Sequence, residues 1–360
     1  EPVDDDADPP RPDARHAARQ AVEQPAPLRG GRRRRGLRPR RDRRERLGCH
    51  PVRLARPRVR PPPTIGPDDG APAAAGRRWG VRTFTRDGLT FDVHEAGPPD
   101  GVPVVLLHGF PQDATCFAEV ARRLAARGLR TLAPDQRGYS PGARPADRRA
   151  YGARELVADV AALLDAAGVD AAHVVGHDWG AGVAWAFAAW HPERTVSLTA
   201  LSSPHPRAVS RAAWRSVQAV RSAYMAVFGL PRLPERLLLA DDGARLRDAL
   251  VRTGLPPERA AYDTARMLEP GALSAALAWY RAIPGGGWSE LPAVRVPTVL
   301  VHGRDDPFIA DASVRATRAW VRAPLVTIPV EGGHWLPERH PGTVTAAVVA
   351  QLDHAAGQDS

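Results

Sequence analysis

Lysine is absent from this 360-residue chain, so all fifty of its basic residues are arginine. GC-rich coding produces that bias without any selection for binding. Cysteine is scarce as well: Cys49 and Cys116 are far apart, which argues against a disulfide framework and fits a reducing compartment. No run reaches the roughly 18 apolar residues that a membrane-spanning helix needs, and the first 78 residues lack the apolar core of a secretory signal. A soluble, cytoplasmic protein is expected. The net charge of +10 invites a nucleic-acid reading, but residues 1–60 hold 18 arginines against 9 acids while the remainder holds 32 against 31. The arginine run has no interleaved aromatics on which bases could stack, so no nucleic-acid partner is expected. His108, His177 and His205 show no metal-ligand spacing and read as structural. No metal and no cofactor are expected, and oligomeric state is not readable.

What the chain does have is organisation. Residues 1–78 are rich in Arg, Pro, Asp and Ala without apolar periodicity, and cannot bury enough surface to offset chain entropy. A disordered extension is expected there, whether a basic tail, a solvated extension or a translated upstream region. From Trp79 onward "VRTFTRDG" and "LTFDVHEAG" alternate as a hairpin does, with a turn at Asp87-Gly88. Short apolar runs such as "VPVVLLHG" and "AHVVGH" then alternate with amphipathic helices, the pattern of a doubly wound, mostly parallel sheet whose ligands bind at the carboxyl ends of the strands. The alternation stops near Pro206. Residues 206–284 read as helices only, a lid over the strand ends, between core segments 79–205 and 285–360.

The strand ends carry the chemistry. Gly176-His177-Asp178-Trp179-Gly180 has the G-x-nucleophile-x-G form of a strand-to-helix elbow, with glycines where strand and helix pack closely. The elbow presents Asp178 and leaves the Trp179 amide free as an oxyanion donor. Phe110, in "HGFP" after an earlier strand, offers a second amide. "VHGRDDP" brings Asp305 and Asp306, and "EGGHWLPE" brings His334. The order Asp178, Asp306, His334 is nucleophile, acid, base. An ionised carboxylate attacks an sp³ carbon without help and forms an alkyl ester. His334, neutral near its ordinary pKa of about 6.5, would then activate the water that cleaves it.

With "HGFP", "DQRGYSPG", "GHDWG", "SSPHP", "GRDDPF" and "GGHWLPERHP" in that order, the chain from Trp79 to the C-terminus resembles an α/β-hydrolase of the epoxide hydrolase group. The resemblance implies a small apolar epoxide and water as partners, and Asp306 rather than Asp305 as the acid. It also implies that Tyr224 and Tyr280, at the positions of the family's lid tyrosines, protonate the opening ring. They fall on apolar stripes, Trp214–Val217–Val220–Tyr224 and Leu273–Ala276–Leu277–Tyr280, expected to face the core or the cavity. Ala278 departs from the asparagine common in the family.

A dehalogenase would share the Asp nucleophile, but Phe110 offers no side-chain donor for a departing halide. Fluoroacetate-type relatives have Arg where Trp179 stands. A non-catalytic receptor on the same fold would lack a member of the triad, and none is missing.

Overall fold

The computed structural model describes residues 80–356. The expected disordered extension, with Cys49, lies outside the described residues.

Asp87 and Gly88 have φ of 49° and 77°, the left-handed pair that a two-residue hairpin turn requires, and they join β1 (Gly80–Arg86) to β2 (Leu89–Ala96). Strands and helices then alternate through β3 (Pro103–Leu107), α1 (Ala118–Ala125), β4 (Arg130–Pro134), α2 (Ala153–Ala166), β5 (Ala172–His177), α3 (Trp179–Trp190) and β6 (Thr195–Leu201). After the helical insertion come β7 (Thr298–Gly303) and β8 (Leu325–Val330), and the sheet order is β1-β2-β4-β3-β5-β6-β7-β8. Only the β1–β2 and β2–β4 pairs are antiparallel.

Strand β3 shows why the sheet is covered twice. Val104 and Leu106 pack with Phe117, Val120, Leu124 and Val348 on one face, whereas Val105 and Leu107 pack with Val174, Trp185 and Phe187 on the other. Each such fully buried side chain contributes roughly 1.5–3 kcal/mol relative to exposure. A strand apolar on both faces must be central, so its carboxyl end opens where chain direction diverges to either side.

Between β6 and β7 the chain runs through α4 (Pro206–Ala213), α5 (Gln218–Arg221), α6 (Tyr224–Phe228), α7 (Leu233–Leu238), α8 (Ala240–Arg252), α9 (Pro257–Met267) and α10 (Ala272–Arg281). One expectation fails here. Trp214, Val217 and Val220 do not share a buried face with Tyr224: Trp214 is 90% exposed and Val220 77%. The cause is that α4 ends at Ala213 and α5 and α6 are single turns, so the helical phase linking those positions is lost. On the uninterrupted α10, Leu273, Ala276, Leu277 and Tyr280 are all buried, as the second stripe predicts. The sheet half closes with α11 (Asp311–Ala316), α12 (Leu336–Arg339) and α13 (Pro341–Ala356). Among the described residues no helix is long and apolar enough to cross a membrane.

Candidate active site

Asp178 occupies the bend between β5 and α3 with φ 52° and ψ −119°. A side-chain-bearing residue rarely adopts this conformation, which costs on the order of 1–3 kcal/mol. The surrounding packing enforces it. A Cβ on Gly176 would lie 2.3 Å from the Gly180 carbonyl oxygen, and one on Gly180 would lie 2.1 Å from that of Leu107. Strand and helix therefore approach closely enough to force the turn.

The carboxylate is held from two sides. The Phe110 amide donates to Asp178 Oδ1 at 2.9 Å, and the Trp179 amide donates to the same carboxylate. Both expected donors thus converge on one group. Gly109 makes this possible, a role not apparent from the sequence: a Cβ there would lie 2.4 Å from the Cβ of Asp178. Burial works to raise the Asp178 pKa, but hydrogen bonding and charge from His334, with the Trp179 amide, bring it below the ordinary carboxylate value.

His334 follows β8 and is almost fully buried. Its Nε2 is 3.4 Å from Asp178 Oδ2 and its Nδ1 is 2.8 Å from Asp306 Oδ2. Asp306 is 1% exposed, and its other oxygen accepts the amides of Phe308 and Ile309 at 2.8 and 3.1 Å. Asp305 is exposed, so the geometry pairs the histidine with Asp306. The neutral histidine expected at rest is not what this environment favours. Burial opposes the charged form, but the charge of Asp306 and the hydrogen bond to Asp178 outweigh it and push His334 up to about 10. This environment favours the imidazolium, held between two carboxylates.

Tyr224 and Tyr280 come together from α6 and α10. Their ring centroids are 6.1 Å apart, their hydroxyls are hydrogen-bonded, and Tyr280 is also hydrogen-bonded to the Trp179 indole. Burial, followed by the Asp178 charge for Tyr224 and by the other tyrosine for Tyr280, raises both pKa values, so the hydroxyls stay protonated. Tyr224, Asp178 and Phe308 line two cavities, of about 170 and 190 Å³. Phe308 lies edge-on to His334, with centroids 4.8 Å apart.

Sequence reading also missed what fixes the acid. Gln218, 1% exposed on α5, uses all four of its hydrogen-bonding positions. Nε2 donates to the Phe308 carbonyl at 2.8 Å and to Ser222 Oγ at 2.9 Å, while Oε1 accepts from the Ala310 amide and Ser313 Oγ, each at 2.8 Å. Arg221 donates to the carbonyls of Asp306, at 2.6 Å, and Ile309. The insertion therefore grips the loop that carries Asp306. Burial, ahead of any charged neighbour, lowers His108, His177 and His205 to about 4, so all three are neutral. Among the described residues no group of three or more His, Cys, Asp or Glu side chains is arranged to hold a metal ion.

Comparison with known proteins places the chain in a family. Residues 102–341 match the family described as alpha/beta hydrolase fold. An AB hydrolase superfamily protein of Bacillus subtilis, YfhM, is 33% identical over 272 residues, covering 74% of this chain and 95% of its own. Epoxide hydrolase A of Mycobacterium tuberculosis is 30% identical over 316 residues, covering 75% and 96%. The crystal structure of epoxide hydrolase A from Mycobacterium thermoresistibile matches with a TM-score of 0.67 at 26% identity, over 76% of this chain and 98% of that one. The chain belongs to the α/β-hydrolase fold family, in its epoxide hydrolase group.

Proposed function

We propose that this protein hydrolyses a small apolar epoxide to a vicinal diol through a covalent ester on Asp178, beneath a lid formed by residues 206–284. The observation that carries the reading is an ionised elbow carboxylate sharing one cavity with both members of a hydrogen-bonded pair of tyrosines. Such a pair suits a leaving oxygen that stays attached to the substrate and needs a proton. An indole N–H engaged by Tyr280 is not free for a departing halide, which weighs against dehalogenation. Cys116, a buried free thiol, fits a cytoplasmic setting.

In the first half-reaction Asp178 attacks a ring carbon from the side opposite the ring oxygen. A carbon–oxygen bond forms to the carboxylate while a ring carbon–oxygen bond breaks, and its electron pair goes to the oxygen. Tyr224 and Tyr280 deliver the proton. Esterification removes the Asp178 charge, and the His334 imidazolium loses one of the two carboxylates that raise its pKa, keeping Asp306. Its proton passes to the tyrosinate, leaving a neutral base. In the second half-reaction His334 takes a proton from water as the oxygen attacks the ester carbonyl carbon. The Phe110 and Trp179 amides, already on this group, stabilise the oxyanion. Collapse of this intermediate breaks the bond between the carbonyl carbon and the alkyl oxygen, the departing alkoxide takes the proton of the regenerated Asp178 carboxyl group, and the diol leaves with the Asp178–His334 ion pair restored.

A single turnover in ¹⁸O water tests this scheme. The first-turnover diol should carry no label, because its new oxygen comes from Asp178. Label in that diol, or halide released from haloalkanes with no diol from any epoxide, would overturn it.

A further inference from the structure

We propose that the outer face of the insertion, from Arg211 to Leu237, docks on an anionic lipid surface. The docking does not depend on the reaction at Asp178. It starts from the stripe that the end of α4 leaves without a core: Trp214, Val217, Val220, Val227, Leu230 and Leu233 are all exposed. Large apolar side chains scattered singly over a surface need no explanation, but a run of them within one short stretch marks a face that meets a partner.

Charge identifies the partner. Arg211, Arg215, Arg232 and Arg236 are exposed among these side chains. Between Pro204 and Leu239 the one acid is Glu235, and Arg281 holds it at 2.8 Å. Among the described residues no carboxylate pairs with any of the four arginines. An exposed tryptophan, aliphatic side chains and arginines without acidic counterweight suit the headgroup layer of a bilayer, where the apolar groups enter the acyl boundary and the guanidinium groups stay on lipid phosphates. A second copy of the chain suits this face badly, because a two-fold contact would set the arginines against themselves. A nucleic acid offers phosphates but leaves the valines and leucines without a partner, and Trp214 is the one exposed ring in the stretch for a base to stack on.

The face also sits where a lipid surface would be of use. Val209 and Ser210 on α4 and Met225 on α6 line the cavity of about 170 Å³. Ser210 is itself exposed, which puts a mouth of that cavity at α4. Trp214 stands four residues on, one helical turn along the same face. Docking through Trp214 therefore sets the mouth against lipid, and an apolar substrate of the kind proposed above, dissolved in the bilayer, enters without crossing water.

The experiment mixes the full chain with vesicles of phosphatidylglycerol and phosphatidylcholine in equal parts, whose acyl chains carry bromine as a contact quencher of tryptophan. The arginines of residues 1–60 will also attract such vesicles, but residues 1–78 hold no tryptophan, so quenching reads the chain beyond them. Trp214 is the one exposed tryptophan among the described residues. Wild-type fluorescence should fall when brominated vesicles replace plain ones, and Trp214→Phe should abolish that fall. Arg211→Ser and Arg215→Ser should each weaken vesicle binding about fivefold, the share of one arginine at an anionic surface. Vesicle binding with Trp214 unquenched overturns the proposal, because the arginines of residues 1–60 then account for it. Absence of binding to these vesicles overturns it as well. A dimer in solution that Trp214→Arg splits also overturns it, because a second copy is then what covers the face.

Discussion

His334 Nε2 stands 3.4 Å from Asp178 Oδ2, an ion pair between the group that would activate water and the group that would attack carbon. The two half-reactions of the proposed scheme need opposite states of this histidine. Ester formation draws on the imidazolium proton, whereas ester cleavage needs the free base, formed once the Asp178 charge is gone. Ester formation should therefore slow as pH rises through about 10, while cleavage of the accumulated ester quickens with pH up to neutrality and beyond. Single-turnover rates of ester appearance and decay between pH 5 and 11 would show this. Parallel profiles would remove the ion pair from the scheme.

The same pair bears on stability. The folded pKa of about 10 lies above the ordinary histidine value, which is about 6.5. A raised histidine contributes its full stability below the unfolded value and loses that contribution as pH rises through the folded one. The melting temperature of the wild type should fall between pH 7 and 11 by more than that of His334→Gln. Identical slopes would mean that the imidazolium is not what the fold holds.

Substitutions at the reacting groups should separate the two steps. Asp178→Ala should abolish diol formation. His334→Gln should still form the ester, more slowly without the imidazolium proton, and should slow cleavage further, by on the order of 10²–10⁴-fold, so that intact-mass measurement finds the protein carrying one substrate. An unmodified His334→Gln protein after exposure to a turned-over epoxide would contradict the assignment.

Tyr224→Phe and Tyr280→Phe should each reduce the rate of ester formation by about 10²-fold, within the usual range for loss of an acid, and leave the decay of a preformed ester much less affected. A variant that slows only decay would place that tyrosine with the water rather than the ring oxygen.

Gln218→Leu removes four hydrogen bonds and leaves the Ala310 amide and Ser313 hydroxyl without their buried acceptor. Each such loss costs roughly 1–3 kcal/mol, so the variant should melt lower. Its activity should fall about 10- to 100-fold through a small displacement of the Asp306 loop, in kcat rather than KM, with a shifted pH profile for ester cleavage. A lower melting temperature with kcat and its pH profile unchanged would make Gln218 purely structural.

What could be read from the sequence was what is local. Asp178 between Gly176 and Gly180, the Asp87-Gly88 turn, and the carboxylate and histidine following β7 and β8 each reflect a few adjacent residues obeying one conformational rule. The Phe110 amide was legible for the same reason, since "HGFP" fixes a loop at a strand end. Three features were not. The exposure of Trp214 and Val220 depends on where α4 stops and on two single-turn helices, which helical spacing does not register. The contacts of Gln218 and Arg221 with the Asp306 loop join residues 85 to 95 positions apart. The charge on His334 depends on two carboxylates reaching opposite edges of one ring, a property of distances rather than of residue types.

The backbone at Asp178 has a consequence for how this sequence can drift. At φ 52° and ψ −119° the residue that would relax the turn is glycine, which populates positive φ without steric penalty. Glycine has no nucleophile. Backbone relaxation and the proposed chemistry therefore pull against each other at this position. A relative with glycine at this bend would relax the turn but give up the carboxylate that pairs with His334 and accepts the Phe110 and Trp179 amides, and with it the proposed nucleophile.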